Sequence, residues 1–172
     1  SHTQRFDLLL FLLASASIAL FQMGANVSND YFDSKSKNDW LNKNPTPFSG
    51  GAQIIQKNLL TPKQVLIGSL VLFASGAILG LIIILLTKSL LVLSLGIIGL
   101  LGAFFYTAPP IKLGYRTAGE INIGLLFGVL PVYGAYYIQT GIIDFVPLLP
   151  SIFIALLIFL VIFANEFPDY PA

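Results

Sequence analysis

QVLIGSLVLFASGAILGLIIILLTKSLLVLSLGIIGLLGAFFYTAPPI, residues 64–111, contains one charged residue, Lys88, between two long apolar runs. An apolar run of about 18 residues or more can cross the hydrocarbon core of a bilayer as a helix. Two such runs meeting at one lysine read as a helical hairpin inside a membrane. Working outward in both directions, the same pattern recurs. Runs free of Asp, Glu, Lys and Arg occupy 8–28, 64–87, 89–111, 121–143 and 145–165. The expected fold class is all-α, a multi-span transmembrane helical bundle with five spans.

The composition agrees. Of 172 residues, 56% are hydrophobic and 10% charged, against roughly 25% charged in an ordinary soluble domain, which excludes a water-soluble fold. There is no cysteine, so neither a disulfide framework nor a thiolate metal site can form. The net charge of +1 supplies no basic patch for nucleic acid. The first run has no small-residue cleavage site and leads into acidic residues, so it reads as a retained span rather than a signal peptide. His2, alone near the N-terminus, is not taken as a ligand.

Lysine and arginine collect in cytoplasmic loops. Lys35, Lys37, Lys43, Lys57 and Lys63 lie between the first two runs, and Lys112 and Arg116 between the third and fourth. Those loops are expected in the cytoplasm, and the short turns at Lys88 and Asp144 outside. The chain then starts outside and stops inside, just after the polar cluster at Asp169. The expectation is a piece of a longer bundle.

On that topology most of the acidic residues share one side. Asn26, Asn29, Asp30 and Asp33 stand at i, i+3, i+4 and i+7, one stripe of a helix if the first span continues. Near a helix C-terminus the macrodipole disfavours carboxylates, and Asp30 and Asp33 also repel one another. A bound cation relieves both penalties, and hard oxygen donors around a diphosphate suit magnesium. Taken alone, the stripe reads equally well as a helix end among lipid headgroups, with Lys35 and Lys37 as counter-ions.

A second cluster favours the site. Asn165-Glu166-Phe167-Pro168-Asp169 repeats the order of Asn29-Asp30-Tyr31-Phe32-Asp33: Asn, acid, aromatic, any residue, Asp. Both copies follow a long apolar run on the same side. Between them, Tyr106-Thr107-Ala108-Pro109-Pro110 stops the third run, with extended geometry expected before the prolines. Lys112 and Arg116 follow, a point-charge and a bidentate phosphate binder, although loop cations also serve topology alone. The stretch 34–63 is expected to form a cytoplasmic cap, with a short helix over Ile54, Ile55, Leu59 and Leu60 that shields the site from water.

A secondary transporter is the competing reading, since it too shows internal repeats and polar residues. It calls for ionisable groups near the midplane, and all five runs are uncharged at their centres. A purely structural subunit leaves the repeated pattern without a reason.

Together, Asn29 to Asp33 with Asp39, the loop from Tyr106 to Arg116 continuing to Gly119 and Glu120, and Asn165 to Asp169 resemble the UbiA superfamily of intramembrane prenyltransferases over nearly the whole chain. Asn44-Pro45-Thr46-Pro47-Phe48-Ser49-Gly50-Gly51 is most similar to the branch that prenylates 1,4-dihydroxy-2-naphthoate on the way to menaquinone. The resemblance implies a bundle of about nine spans, of which residues 1–172 form a single, incomplete prenyltransferase domain. It implies a multi-pass protein of a prokaryotic plasma membrane with its active site on the cytoplasmic side. It also implies magnesium held by Asn29, Asp30, Asp33, Asn165 and Asp169. Asp30, Asp33, Lys112 and Arg116 are the implied catalytic residues. Asn26, Tyr106, Lys112 and Arg116 would bind the substrates, a prenyl diphosphate and an aromatic quinone precursor. Two departures stand out: Lys37 occupies the place of a third Asp in the first motif, with Asp39 two residues on, and the Asp closing the second motif would fall after Ala172.

Overall fold

The computed structural model describes residues 6–36, 53–115 and 119–166. Among them the regular structure is helical. α1 spans Leu8–Ser36, α2 Pro62–Thr87 and α3 Leu90–Phe105. After a short 3-10 turn at Leu113–Tyr115, α4 (Gly119–Ile123) runs through a π-helical stretch, Gly124–Val129, into α5 (Leu130–Thr140). α6 (Leu148–Glu166) ends the described chain. Three helical segments are long and apolar enough to cross a membrane, Leu8–Lys35, Pro62–Thr87 and Ile121–Thr140, whereas Leu90–Phe105 and Leu148–Ala164 are apolar but shorter. The chain is an integral membrane protein of all-α class.

Local chemistry sets the helix ends. Asp7 caps α1 by accepting from the Leu10 N–H at 2.9 Å. Thr61 and Gln64 form a capping box with Pro62 in the first turn of α2, so two otherwise orphaned donors are satisfied and the proline loses nothing. Lys88 closes α2 in the left-handed region, its N–H donating to the Ile84 carbonyl at 2.7 Å. Ser89 caps the next helix at once, which makes the hairpin at Lys88 tight. Inside the fourth span, Pro131 has no N–H to give the preceding turn. The turn just before it is π-helical, with the Leu130 N–H reaching the Leu125 carbonyl.

Helices in lipid associate through small residues and interhelical hydrogen bonds, and this bundle does so throughout. α1 and α2 are antiparallel: Ser17 Oγ donates to the Gly76 carbonyl at 2.8 Å, and Ser69 Oγ donates to the Gly24 carbonyl at 3.0 Å. α6 packs on the π-helical stretch, where a Cβ added to Gly128 would stand 2.5 Å from Ala155 Cα. Large apolar side chains face outward instead, Leu90 at 80% and Phe145 at 83% exposure, as a surface solvated by lipid allows.

These contacts give the bundle two ends. At one, the Asp7 N–H donates to Gln139 Oε1 at 2.9 Å while Gln139 Nε2 donates to the Asp7 carbonyl at 3.0 Å. There too Ser89 Oγ donates to the Tyr137 hydroxyl, and the Tyr136 hydroxyl to Asp144. The other end gathers the C-terminal turns of α1, the entry to α2, the loop after α3, and the last turn of α6.

Candidate active site

The second end holds those sequence-predicted residues that the structure describes. α1 does not stop with its apolar run at Ser28 but continues to Ser36, so Asn26, Asn29, Asp30 and Asp33 form one stripe over its last turns. The side of α1 that meets α2 carries Ser17, Phe21, Gly24 and Ser28. At 3.6 residues per turn, the acidic stripe falls on the opposite side. Asn29, Asp30 and Asp33 are half-buried there, and Asn26 is exposed. Lys35 stands in the last turn, a cation where the helix dipole favours one.

Phe32, the variable residue of the motif, binds this end of α1 to α3. Its ring lies edge-on to Phe104 at 6.3 Å, and Phe104 continues the chain of rings to Phe73 of α2 at 6.0 Å. Tyr31 stands edge-on to Phe32 at 5.0 Å. The exit of α3 is thereby held beside the acidic turns. α3 ends at Phe105, with one further helical hydrogen bond from the Ala108 N–H to the Phe104 carbonyl at 3.2 Å before Pro109 and Pro110. The loop then folds back: the Gly114 N–H donates to the Tyr106 carbonyl at 2.8 Å, Thr107 and Ala108 are buried, and Lys112 is exposed at the tip with φ of 49°.

The structure thus brings Asn26, Asn29, Asp30, Asp33, Tyr106 and Lys112 to one end of the bundle. Asn165 lies in the last turn of α6 at that end, its side chain outside the described set, and Arg116, Asp39 and Asp169 lie outside the described residues altogether. Among the described residues no three of His, Cys, Asp and Glu converge, since α1 contributes two carboxylates and the partner cluster falls beyond. The donor set still suits a hard divalent cation: Asn29, Asp30 and Asp33 offer only oxygen ligands from one rigid, half-buried stripe. Most of the expected cap lies outside the described residues. Over Ile54–Asn58 the chain turns tightly instead of forming the expected short helix, with Gln53 and Asn58 both at positive φ. Phe104 was not singled out from the sequence. An aromatic residue at the end of an apolar run looks like any interfacial anchor, and its pairing with Phe32 is purely tertiary.

Two apolar cavities accompany the site. One, of about 290 Å³, lies among α1, α2, α3 and α5, lined by residues such as Ser17, Phe21, Gly80 and Gly134. The other, about 540 Å³, is a groove between α3 and the α4–α5 span.

The fold defines an integral membrane helical bundle that presents carboxylate and amide side chains and the exposed Lys112 at one end of its spans. The chain belongs to the UbiA prenyltransferase family, whose sequence pattern matches residues 1–172. It is 31% identical over 160 residues to the 1,4-dihydroxy-2-naphthoate octaprenyltransferase of Mycobacterium tuberculosis, covering 93% of this chain and 52% of that protein. Proteins of the same name from Haemophilus influenzae and Bacillus subtilis are 31% and 30% identical, covering 98% and 96% of this chain and 55% and 51% of theirs. The chain spans about half the length of these relatives. No solved structure matches it.

Proposed function

We propose that the protein carrying this chain transfers a prenyl group from an allylic prenyl diphosphate to an aromatic quinone precursor, 1,4-dihydroxy-2-naphthoate. One observation carries the reading: the Asn29, Asp30 and Asp33 stripe ends a membrane-spanning helix beside a loop tipped by Lys112, in a chain of the UbiA family. The excess of lysines at this end, Lys35, Lys57, Lys63 and Lys112 against Lys88 at the other, supports a cytoplasmic position for it.

Asn29, Asp30 and Asp33, with Asn165 and Asp169 from the second motif, would hold magnesium. When bound, magnesium neutralises charge on the departing diphosphate. Lys112 and Arg116 bind the same diphosphate and stabilise its negative charge as the bond from prenyl C1 to oxygen breaks, the electron pair leaving with oxygen. Tyr106 and Tyr31 flank the allylic cation left behind, where an aromatic face contributes about 0.5–2 kcal/mol. A ring carbon of the acceptor supplies the pair for the new carbon–carbon bond, and aromaticity returns when that carbon sheds its other substituent. Asn26, one turn above the acids and exposed, would hydrogen-bond the substrates.

A transfer assay tests the reading. Membranes holding the whole protein receive radiolabelled prenyl diphosphate and a panel of aromatic acceptors, with magnesium present or chelated. Magnesium-dependent labelling of the naphthoate is expected. Labelling of a different ring would replace the acceptor, and no labelling of any acceptor by folded protein would end the proposal.

A further inference from the structure

A tight knuckle over residues 53–61 leads the chain into α2 and turns two leucines outward. The Lys57 N–H donates to the Gln53 carbonyl at 2.9 Å, and the Ile54 carbonyl accepts from the N–H of Leu59 at 3.0 Å and of Leu60 at 3.5 Å. Asn58, with φ of 54°, reverses the chain between them. Ile55 is turned in and buried, whereas Leu59 is 69% and Leu60 44% exposed. Every residue from Lys57 to Gln64 is exposed, with Lys57 before the leucine pair and Lys63 after it.

We infer that this knuckle is a lipid-binding site, in which Leu59 and Leu60 enter the edge of the bilayer while Lys57 and Lys63 hold the phosphoryl group of an anionic phospholipid. Such a site is separate from the one at Asp30, Asp33 and Lys112 and does not depend on prenyl transfer.

Depth fits a head group. α2 has 26 residues, about 39 Å of helical rise, against about 30 Å of hydrocarbon in a bilayer, so its ends reach past the hydrocarbon. Ser17 bonded to Gly76 and Ser69 bonded to Gly24 fix the antiparallel register of α1 and α2. Carried on to the start of α2, that register sets Pro62 level with Tyr31. The knuckle therefore lies at the depth where α1 turns polar. Apolar side chains at this boundary sink among the upper acyl carbons, and lysine stems extend from there to the phosphates.

Charge selects the lipid. Between Asp39 and Glu120 the sequence holds no acidic residue, and Lys57 and Lys63 make no ion pair among the described residues. Lys63 also stands in the first turn of α2, where there is no acid and where the helix dipole disfavours a cation. A phosphoryl group relieves that penalty and neutralises Lys57 as well. A zwitterionic head group brings a cation of its own and gives up part of the gain. Topology alone asks for lysines in this loop; it does not ask for a backbone that projects two leucines between them.

Two measurements on the whole protein test this. In detergent micelles, native mass spectrometry compares the affinity for the first phosphatidylglycerol bound by the parent and by the double variant Lys57→Gln with Lys63→Gln. An anionic lipid surface contributes about fivefold for each lysine near it, so the double variant should bind about tenfold or more weakly. Lys57→Arg with Lys63→Arg should keep the parent affinity, and phosphatidylcholine should bind parent and variants alike. In phosphatidylglycerol nanodiscs, a spin label on Leu59→Cys, with identically treated unsubstituted protein as background, should relax more with oxygen, which concentrates in lipid, than with a water-soluble nickel chelate.

Equal affinity of the parent and the glutamine variant for phosphatidylglycerol would overturn the site. Displacement of the lipid by inorganic phosphate would make it a site for free anions and overturn it likewise. A label reached better by nickel than by oxygen would place Leu59 in water, and one reached by neither would place it beneath another part of the protein; either result removes the lipid from the knuckle.

Discussion

The Gly114 N–H donates to the Tyr106 carbonyl at 2.8 Å, and a Cβ added to Gly114 would come within 2.7 Å of the Tyr106 ring. The ring lies flat against a backbone with no side chain, and Lys112 is held between these two residues in the chain. Gly114→Ala forces the ring or the loop to move, at about 1–3 kcal/mol for overpacking of this kind. The expected result is a raised KM for the prenyl diphosphate with normal membrane insertion. An unchanged KM would mean that the tightness of the loop does not position Lys112.

Lys112→Ala removes the charge itself. Weaker donor binding is expected, together with a flatter dependence of that binding on salt. Lys112→Arg should restore part of the affinity, because the charge returns but the planar fork differs from a compact ammonium. Unchanged affinity in Lys112→Ala would return the residue to a purely topological role.

Much of this site is legible in the sequence because its signals are local. The i, i+3, i+4, i+7 spacing from Asn26 to Asp33 needs only that α1 remain helical, and it does. The end of α1 is less legible: charges from Asp30 onward mark where lipid stops, and a helix needs no lipid to continue. The π-helical stretch is hidden because apolar periodicity is similar on either side, with Pro131 the sole local hint. The turns at Gln53 and Asn58 replace a helix because left-handed backbone, rare outside glycine, leaves no pattern in hydropathy. The meeting of Phe32 and Phe104 depends on two helices coming together, which neither segment encodes alone.

Two buried serines of the α1–α2 contact should answer mutation in opposite senses. Ser69 Oγ donates to the Gly24 carbonyl at 3.0 Å, and such bonds inside membranes average about 0.6 kcal/mol. Ser28, 1% exposed, has no hydrogen-bond partner for its hydroxyl among the described residues, and an unsatisfied buried group costs about 1–3 kcal/mol. Thermal unfolding in detergent should show Ser69→Ala lowering Tm and Ser28→Ala holding or raising it. An equal loss in both would mean that Ser28 has a partner in the membrane-embedded protein.

At the opposite end, Gln139 exchanges two hydrogen bonds with the Asp7 backbone, at 2.9 and 3.0 Å. Gln139→Ala should destabilise the bundle by about 1–2 kcal/mol, since each such bond contributes roughly 0.5–1.5 kcal/mol. The prenyl diphosphate KM should stay unchanged, because the clamp and the site occupy different ends of the spans. A raised KM at normal stability would show that the two ends are coupled.

Asp30→Asn and Asp33→Asn separate metal binding from folding. Each substitution keeps the shape of the side chain and removes its charge. Magnesium should raise the Tm of the parent more than that of either variant, because a cation that binds only the folded protein stabilises it according to its affinity, and the variants lose that gain. Prenyl transfer should fall by about a hundredfold or more in each, the scale for removing a group that stabilises charge at the reacting centre. Variants that match the parent in Tm with and without magnesium, and in turnover, would mean that the stripe is only a polar helix end.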